Sequence, residues 1–253
     1  MTSPGVDLVW NPAGASDLVL LAHGGMEESR ESAELWRPPI LRMWPFAAAA
    51  RDAVPTAAVG LMRYRYRGWN AEADPAVDLR AVLDELPPVI RRVVLIGHSM
   101  GGRAVVAAGD HPRVAGVLAL APWLPEGEPL TKLRAPVTFA HGTDDTITDP
   151  RATTAYANRL RAAGTPVTVY ALTDETHPML HRATDWNTLV ATFTASALTR
   201  SDSTPAIDAG TESLPQYGRR SSLAAAVASI ALARLRLPVT ERFQVVKVAK
   251  ARG

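Results

Sequence analysis

Val93-Val94-Leu95-Ile96-Gly97-His98-Ser99-Met100-Gly101-Gly102 is the stretch from which the fold can be read. Its first four residues form a short, unbroken apolar run. Such a run marks a strand buried on both faces, whereas a half-buried strand alternates. Gly97 and Gly101 bracket a serine as G-x-S-x-G, and a helix-prone run rich in Ala and Val follows directly over 100–108. Strand, sharp turn and helix at that spacing lift a serine hydroxyl onto an exposed corner, and glycines are needed where flanking side chains would collide. The Met100 N–H opens the helix and is placed to donate to an anion developing beside Ser99.

Outward from this corner, further apolar runs occur at 18–22, 56–62, 116–120, 137–140 and 167–172. Helical patterns lie between them. Residues 33–54 are helix-prone but interrupted by Pro38-Pro39 and Pro45. Asp74-Pro75 opens a helix that Pro87-Pro88 ends, and Asp149-Pro150 opens another that Gly164 closes. A last helix falls within 177–198. Alternating strands and helices of this kind predict an α/β fold with a doubly wound, mostly parallel sheet, whose ligands bind at the carboxyl ends of the strands.

The 253 residues (27.1 kDa) suffice for one sizeable domain, or one of about 200 residues with a tail. The absence of cysteine excludes disulfides, thiolate metal sites and a thiol nucleophile. Residues 1–199 carry net −3 and residues 200–253 net +5. A weakly acidic body argues against nucleic-acid binding. The opening MTSPGVDLVW has no signal-peptide pattern, and no apolar run approaches membrane-spanning length, so a soluble cytoplasmic protein is expected. The texture changes near Arg200, which sets a body at 1–199 apart from a linker and basic, Ala-rich tail at 200–253. Within that tail, Leu223, Val227 and Ile230 fall at helical spacing before Pro238, and 243–248 reads as a short strand or as unordered chain. The tail helix is expected either docked or loosely ordered. Contact with a membrane surface or a partner is a further reading that nothing else in the sequence supports.

A serine hydroxyl needs a base to become nucleophilic. Of six histidines, His177 combines a late position, a loop after a strand and a polar approach, with His181 as runner-up. A metal between those two lacks any HExxH-type support. His98 is expected to point away from the serine. The carboxylate that orients the base comes from His141-Gly142-Thr143-Asp144-Asp145; Asp145 is preferred, with Asp144 left open. Ser99, Asp145 and His177 stand in the chain order Ser…Asp…His.

Over 6–199 the sequence resembles the α/β-hydrolase superfamily. The carriers are AHGG (22–25), RYRYRGWN (63–70), GHSMGG (97–102), HGTDD (141–145) and THPML (176–180). The resemblance implies an eight-strand-type sheet, a nucleophile–acid–histidine triad and a second oxyanion N–H, from Gly25 or Met26, beside that of Met100. His23 would brace that loop. Relatives often insert a helical cap where only 122–136 stands here, so an open site is expected. The serine separates the chain from dehalogenases and epoxide hydrolases, which resemble the superfamily but use Asp. The expected chemistry is cleavage of a carboxylic ester or thioester through an acyl-enzyme, on a small-molecule acyl substrate and without cofactor or metal. The alternatives are a non-catalytic binding protein, or acyl transfer, perhydrolysis or peptide cleavage on the same residues. Trp36, Trp69 and Trp123 are weaker candidates for substrate walls, and Arg63–Arg67 is read as a positioning loop rather than a nucleic-acid contact.

Overall fold

The computed structural model describes residues 3–32, 36–199 and 211–245. The chain forms β1 (Gly5–Trp10), β2 (Asp17–Ala22), α1 (Pro38–Leu41), α2 (Met43–Ala53), β3 (Ala58–Arg63), α3 (Asp74–Glu85), β4 (Arg92–His98) and α4 (Met100–Ala107). It continues through β5 (Val114–Leu120), β6 (Val137–Gly142), α5 (Pro150–Ala162), β7 (Val167–Leu172), α6 (Ala183–Thr199), β8 (Thr211–Ser213), α7 (Leu223–Arg236) and β9 (Glu241–Gln244). One sheet in the order β8-β7-β6-β5-β4-β2-β3-β1-β9 contains all the strands; pairing from β3 through β8 is parallel, and β1 pairs antiparallel with both β3 and β9.

The unbroken apolar runs are explained by helices on both faces. Along β2 and β4, Leu18, Leu20, Val93 and Leu95 pack with α3, α4 and α5, while Val19, Leu21, Val94 and Ile96 pack with α2 and α6. Every position in such a strand meets a hydrophobic layer, so no polar alternation survives.

Three features depart from the sequence reading. The region expected as one broken helix at 33–54 is two helices: Pro38 and Pro39 open α1, and Pro45 sits in the first turn of α2, where a missing N–H costs nothing. Residues 33–35 of that expectation lie outside the described residues. Strand β1 had no apolar run to announce it because Asp7 interrupts GVDLVW; that carboxylate is buried against Arg63 at 2.5 Å. The third departure is in the tail.

Residues 211–245, set apart in the sequence as linker and tail, add two edge strands and a helix to the same sheet. The boundary at 199/200 therefore does not end the hydrophobic core. Leu214, Leu237 and Val245 are buried, as are Ala226 and Ala233 of α7, which packs on α2. Leu223, Val227, Leu232 and Leu235 on the same helix stay exposed. Residues 200–210 and 246–253 of the linker and tail, including part of the strand considered at 243–248, lie outside the described residues. None of the described helices is long and apolar enough to cross a membrane.

No helix or strand forms between Ala121 and Pro136. This segment lies down on the body through buried Leu124 and Leu133 and through Glu128, which pairs with Arg103 of α4 at 2.6 Å. The carboxyl ends of β4, β6 and β7 are thus not roofed by an inserted helical cap.

Candidate active site

The turn between β4 and α4 holds Ser99 at φ 57° and ψ −119°, a conformation that costs a non-glycine residue about 1–3 kcal/mol. Neighbouring backbone holds it there. Ser99 N–H donates to Leu120 O (3.1 Å), and Ser99 O accepts from Arg103 N–H (3.2 Å) and Trp123 N–H (3.1 Å). The glycines are required by close approach: a Cβ on Gly97 would strike the Gly101 carbonyl, and one on Gly101 would strike Ala22. Met100 is the first helical residue of α4, so its N–H has no intrahelical acceptor.

The loop after β7 delivers His177 to this turn. Glu175, fully buried, organises the loop by accepting from the amides of Thr176 (2.9 Å) and Arg182 (2.6 Å) and from Trp186 Nε1–H (3.1 Å). Arg42, at the α1–α2 junction, donates to the carbonyls of Pro178 and Met179. Held in this way, His177 Nε2 lies 3.0 Å from Ser99 Oγ. His177 Nδ1 lies 2.8 Å from Asp145 Oδ2 in the loop after β6. With Nδ1 protonated and donating to the carboxylate, Nε2 is left to accept the serine proton.

Asp145 is the most heavily solvated-by-protein group of the site. Oδ1 accepts the amides of Ile147 (2.8 Å) and Thr148 (3.0 Å), and Oδ2 accepts Thr148 Oγ1–H (2.9 Å) and His141 Nε2–H (3.0 Å) besides His177. Burial alone would push its pKa up. The hydrogen bonds from His141, His177 and the Thr148 amide outweigh that effect and hold it well below the ordinary carboxylate range. Asp144, the alternative left open in the sequence, accepts from Thr143 Oγ1 and does not reach His177. His181 is half exposed, with Nδ1 3.6 Å from Glu175, and does not reach Ser99.

Three side chains of the site were not assigned a part in the sequence. His98 is directed not away from the site but toward it. Its Nε2–H donates to His177 O (3.1 Å), and the two rings lie 4.8 Å apart. Burial first, then His177 and Arg42, push its pKa down to about 3, so it is a neutral brace. His141 and Thr148 share Asp145. The i,i+4 spacing of His141 and Asp145 was visible in HGTDD, but only the curl of the loop turns both side chains inward.

The loop after β2 lies on the other side of Ser99. A Cβ on Gly24 would come within 3.3 Å of Ser99 Cβ. Met26 N–H donates to Arg67 O at 2.9 Å, so it has no proton left for a substrate and is set aside as an oxyanion donor. Gly25 N–H has no acceptor among the described residues, and a Cβ on Gly25 would strike the Arg67 carbonyl and the Met100 side chain. His23 Nδ1–H donates to Gly24 O (2.8 Å), and its ring meets the Tyr64 ring edge-on; burial pushes its pKa down to about 4.

Of the tryptophans, Trp36 lines a cavity of about 130 Å³ with Gly25, Met26, Ile40 and Arg67. Trp69 is buried in the core and crosses Trp123 edge to face, with the Arg103 guanidinium 3.9 Å and 4.6 Å from their ring centres. These two rings pack the flank of α4, and Trp123 serves the elbow through its backbone N–H. The Arg63–Arg67 run is tied inward: Arg65 bridges Asp74 and Asp78, and Arg67 pairs with Glu31 at 2.8 Å. Among the described residues, no group of three His, Cys, Asp or Glu side chains could hold a metal ion.

The profile of the alpha/beta hydrolase family matches residues 19–242. No curated protein matches the chain. Among solved structures, Est1E from Butyrivibrio proteoclasticus is similar at 14% identity and a TM-score of 0.56, covering 78% of this chain and 94% of that one. XC6422 from Xanthomonas campestris, described as an a/b serine hydrolase without lid, is similar at 19% identity and a TM-score of 0.55, covering 80% and 90%. The Pyrobaculum calidifontis esterase is similar at 14% identity and a TM-score of 0.56, covering 75% and 79%.

Proposed function

The chain belongs to the alpha/beta hydrolase family, and on that premise we propose that it is a serine hydrolase acting on a carboxylic ester or thioester through an acyl-enzyme. The observation that carries this reading is the unbroken relay from Ser99 Oγ through the His177 ring to Asp145, at 3.0 and 2.8 Å.

In this mechanism Ser99 Oγ attacks the carbonyl carbon while its proton passes to His177 Nε2. Asp145 stabilises the imidazolium so formed and keeps the ring in the productive tautomer. The N–H groups of Met100 and Gly25 receive the oxyanion, which a preorganised dipole pair stabilises without reorganising. The tetrahedral intermediate collapses, the bond to the leaving oxygen or sulfur breaks, and His177 returns the proton to it. Water then attacks the acyl-serine with His177 again as base, and the carboxylic acid departs. The small cavity beside Gly25, walled by Trp36 and Ile40, suits a short acyl group.

A fluorophosphonate probe should label the protein once, at Ser99, and Ser99→Ala should abolish both labelling and hydrolysis of p-nitrophenyl acetate. Labelling elsewhere, or undiminished hydrolysis by Ser99→Ala, overturns the assignment. An unlabelled but folded parent protein would favour the non-catalytic binding reading instead.

A further inference from the structure

We propose that His141 is a positioning residue of the site: a second imidazole, on the same Asp145 oxygen as His177, that aims the carboxylate and shares its charge. This proposal rests on the serine-hydrolase reading above for its kinetic arm only.

The geometry is that of two rings on one oxygen. His177 Nδ1 and His141 Nε2 approach the same Oδ2 of Asp145 at 2.8 and 3.0 Å. His141 lies at the end of β6 and His177 in the loop after β7, so neighbouring strands fix their separation. The far nitrogen of His141, Nδ1, meets Thr153 Oγ1 at 2.9 Å. Thr153 is on α5 and fully buried. A hydroxyl at that point can donate to Nδ1 of a neutral ring, which fixes the remaining proton on Nε2, where Asp145 accepts it.

The consequence is electrostatic as well as steric. Each donor to a carboxylate oxygen withdraws charge from that oxygen, and less charge remains to hold a proton on a neighbouring imidazole. His141 therefore tempers the grip of Asp145 on the Nδ1 proton of His177. Other charged or titratable groups around the pair are already committed. His98 donates to the His177 backbone carbonyl, and Arg42 is held by two carbonyls of the His177 loop. Glu175 is occupied by backbone amides, Asp149 caps α5, and Asp144 is exposed on its own turn. None of these reaches Oδ2 of Asp145; beside the Thr148 hydroxyl at 2.9 Å, His141 is the titratable group placed to modulate it.

Two substitutions separate the nitrogens. Gln places its amide N–H where Nε2 stands and reaches Asp145; Asn places its amide where Nδ1 stands and reaches only Thr153. Both are polar and keep one native contact. His141→Asn should lower kcat/KM on p-nitrophenyl acetate by about ten- to a hundredfold, the usual effect of losing one hydrogen bond to a charged group. It should also move the acidic limb of the pH–rate profile upward by about half a unit or more. His141→Gln should return the limb to the parental position and restore most of the rate. The low-field proton resonance of His177 Nδ1–H should shift in Asn but not in Gln. Recorded in a Ser99→Ala background, this readout needs no turnover. An unshifted limb and resonance in His141→Asn, or equal losses in Asn and Gln, would overturn the proposal. A resonance that responds as expected in a parent protein without esterase activity would sustain the positioning role and remove the esterase reading.

Discussion

Replacing Asp145 by Asn changes one atom and, in this site, reverses the polarity of a whole chain of hydrogen bonds. The Asn oxygen has to stay where Oδ1 is, because the amides of Ile147 and Thr148 point at that position from 2.8 and 3.0 Å. The amide nitrogen then takes the place of Oδ2, facing His177 Nδ1. Two N–H groups cannot face each other, so His177 must accept at Nδ1 and carry its proton on Nε2, aimed at Ser99. The base is lost while every heavy atom stays near its place. The same tautomer error in a Ser-His-Asp site costs about 10⁴ in kcat, or about 5.5 kcal/mol of barrier at 1.36 kcal/mol per decade. The fold should suffer less. His141 can answer by moving its proton to Nδ1, where Thr153 Oγ1 can accept it, so stability should fall by about 1–3 kcal/mol. The measurement is kcat and KM on p-nitrophenyl acetate together with a urea unfolding curve, and Asp144→Asn is the control expected to keep parental rates. Asp145→Asn with kcat within about tenfold of the parent (about 1.4 kcal/mol) would refute the reasoning.

Three further outcomes are expected. Gly25→Ala should lower kcat by about 10²–10³, with KM little changed, because its Cβ would drive the loop off the Arg67 carbonyl and the Met100 side chain and withdraw one oxyanion donor; parental kcat would place that donor elsewhere. His98 is neutral when folded, with its pKa pushed from 6.5 down to about 3, so the unfolded chain takes up the proton first as pH falls. Stability from this group is complete above its ordinary pKa and is lost toward acid at about 1.4 kcal/mol per pH unit. His98→Gln, which can still donate to His177 O, should therefore lose about 2 kcal/mol less than the parent between about pH 6.5 and 4.5 in urea unfolding; parallel losses would contradict this. Deleting 200–253 removes buried Leu214, Leu237 and Val245. At about 1.5–3 kcal/mol each, that is a large share of the about 5–15 kcal/mol that holds a domain folded, so the truncated chain should lose cooperative thermal unfolding; a parental melting temperature would show the tail to be dispensable.

How legible the protein was depends on how local each signal is. The elbow could be read because one strand, two glycines and a helix start lie within ten consecutive residues, and each has a short-range physical cause. The parallel sheet could be read because burial on both faces suppresses alternation over four or five residues. β1 and β8 were not legible, and β9 only in part: Asp7 breaks the apolar pattern of β1, TES at 211–213 has none, the short strand read at 243–248 overlaps β9 only at its end, and only pairing with strands distant in sequence makes them strands. The prolines of 38–45 looked like interruptions because a helix start and a helix break use the same residue.

The site divides in the same way. The order Ser99, Asp145, His177 and the presence of a glycine loop after β2 are properties of the sequence, since they need only motif and position. Which of two adjacent aspartates meets the histidine, which of two amides is free for an oxyanion, and that His98 and His141 turn inward were decided by tertiary structure. Each of those depends on where a loop directs a side chain or on what already occupies a proton, and Met26 lost its part to a carbonyl forty-one residues away, at Arg67. Composition and spacing specify which groups the chain owns; the packed fold alone determines which of them are left with an unsatisfied bond to offer.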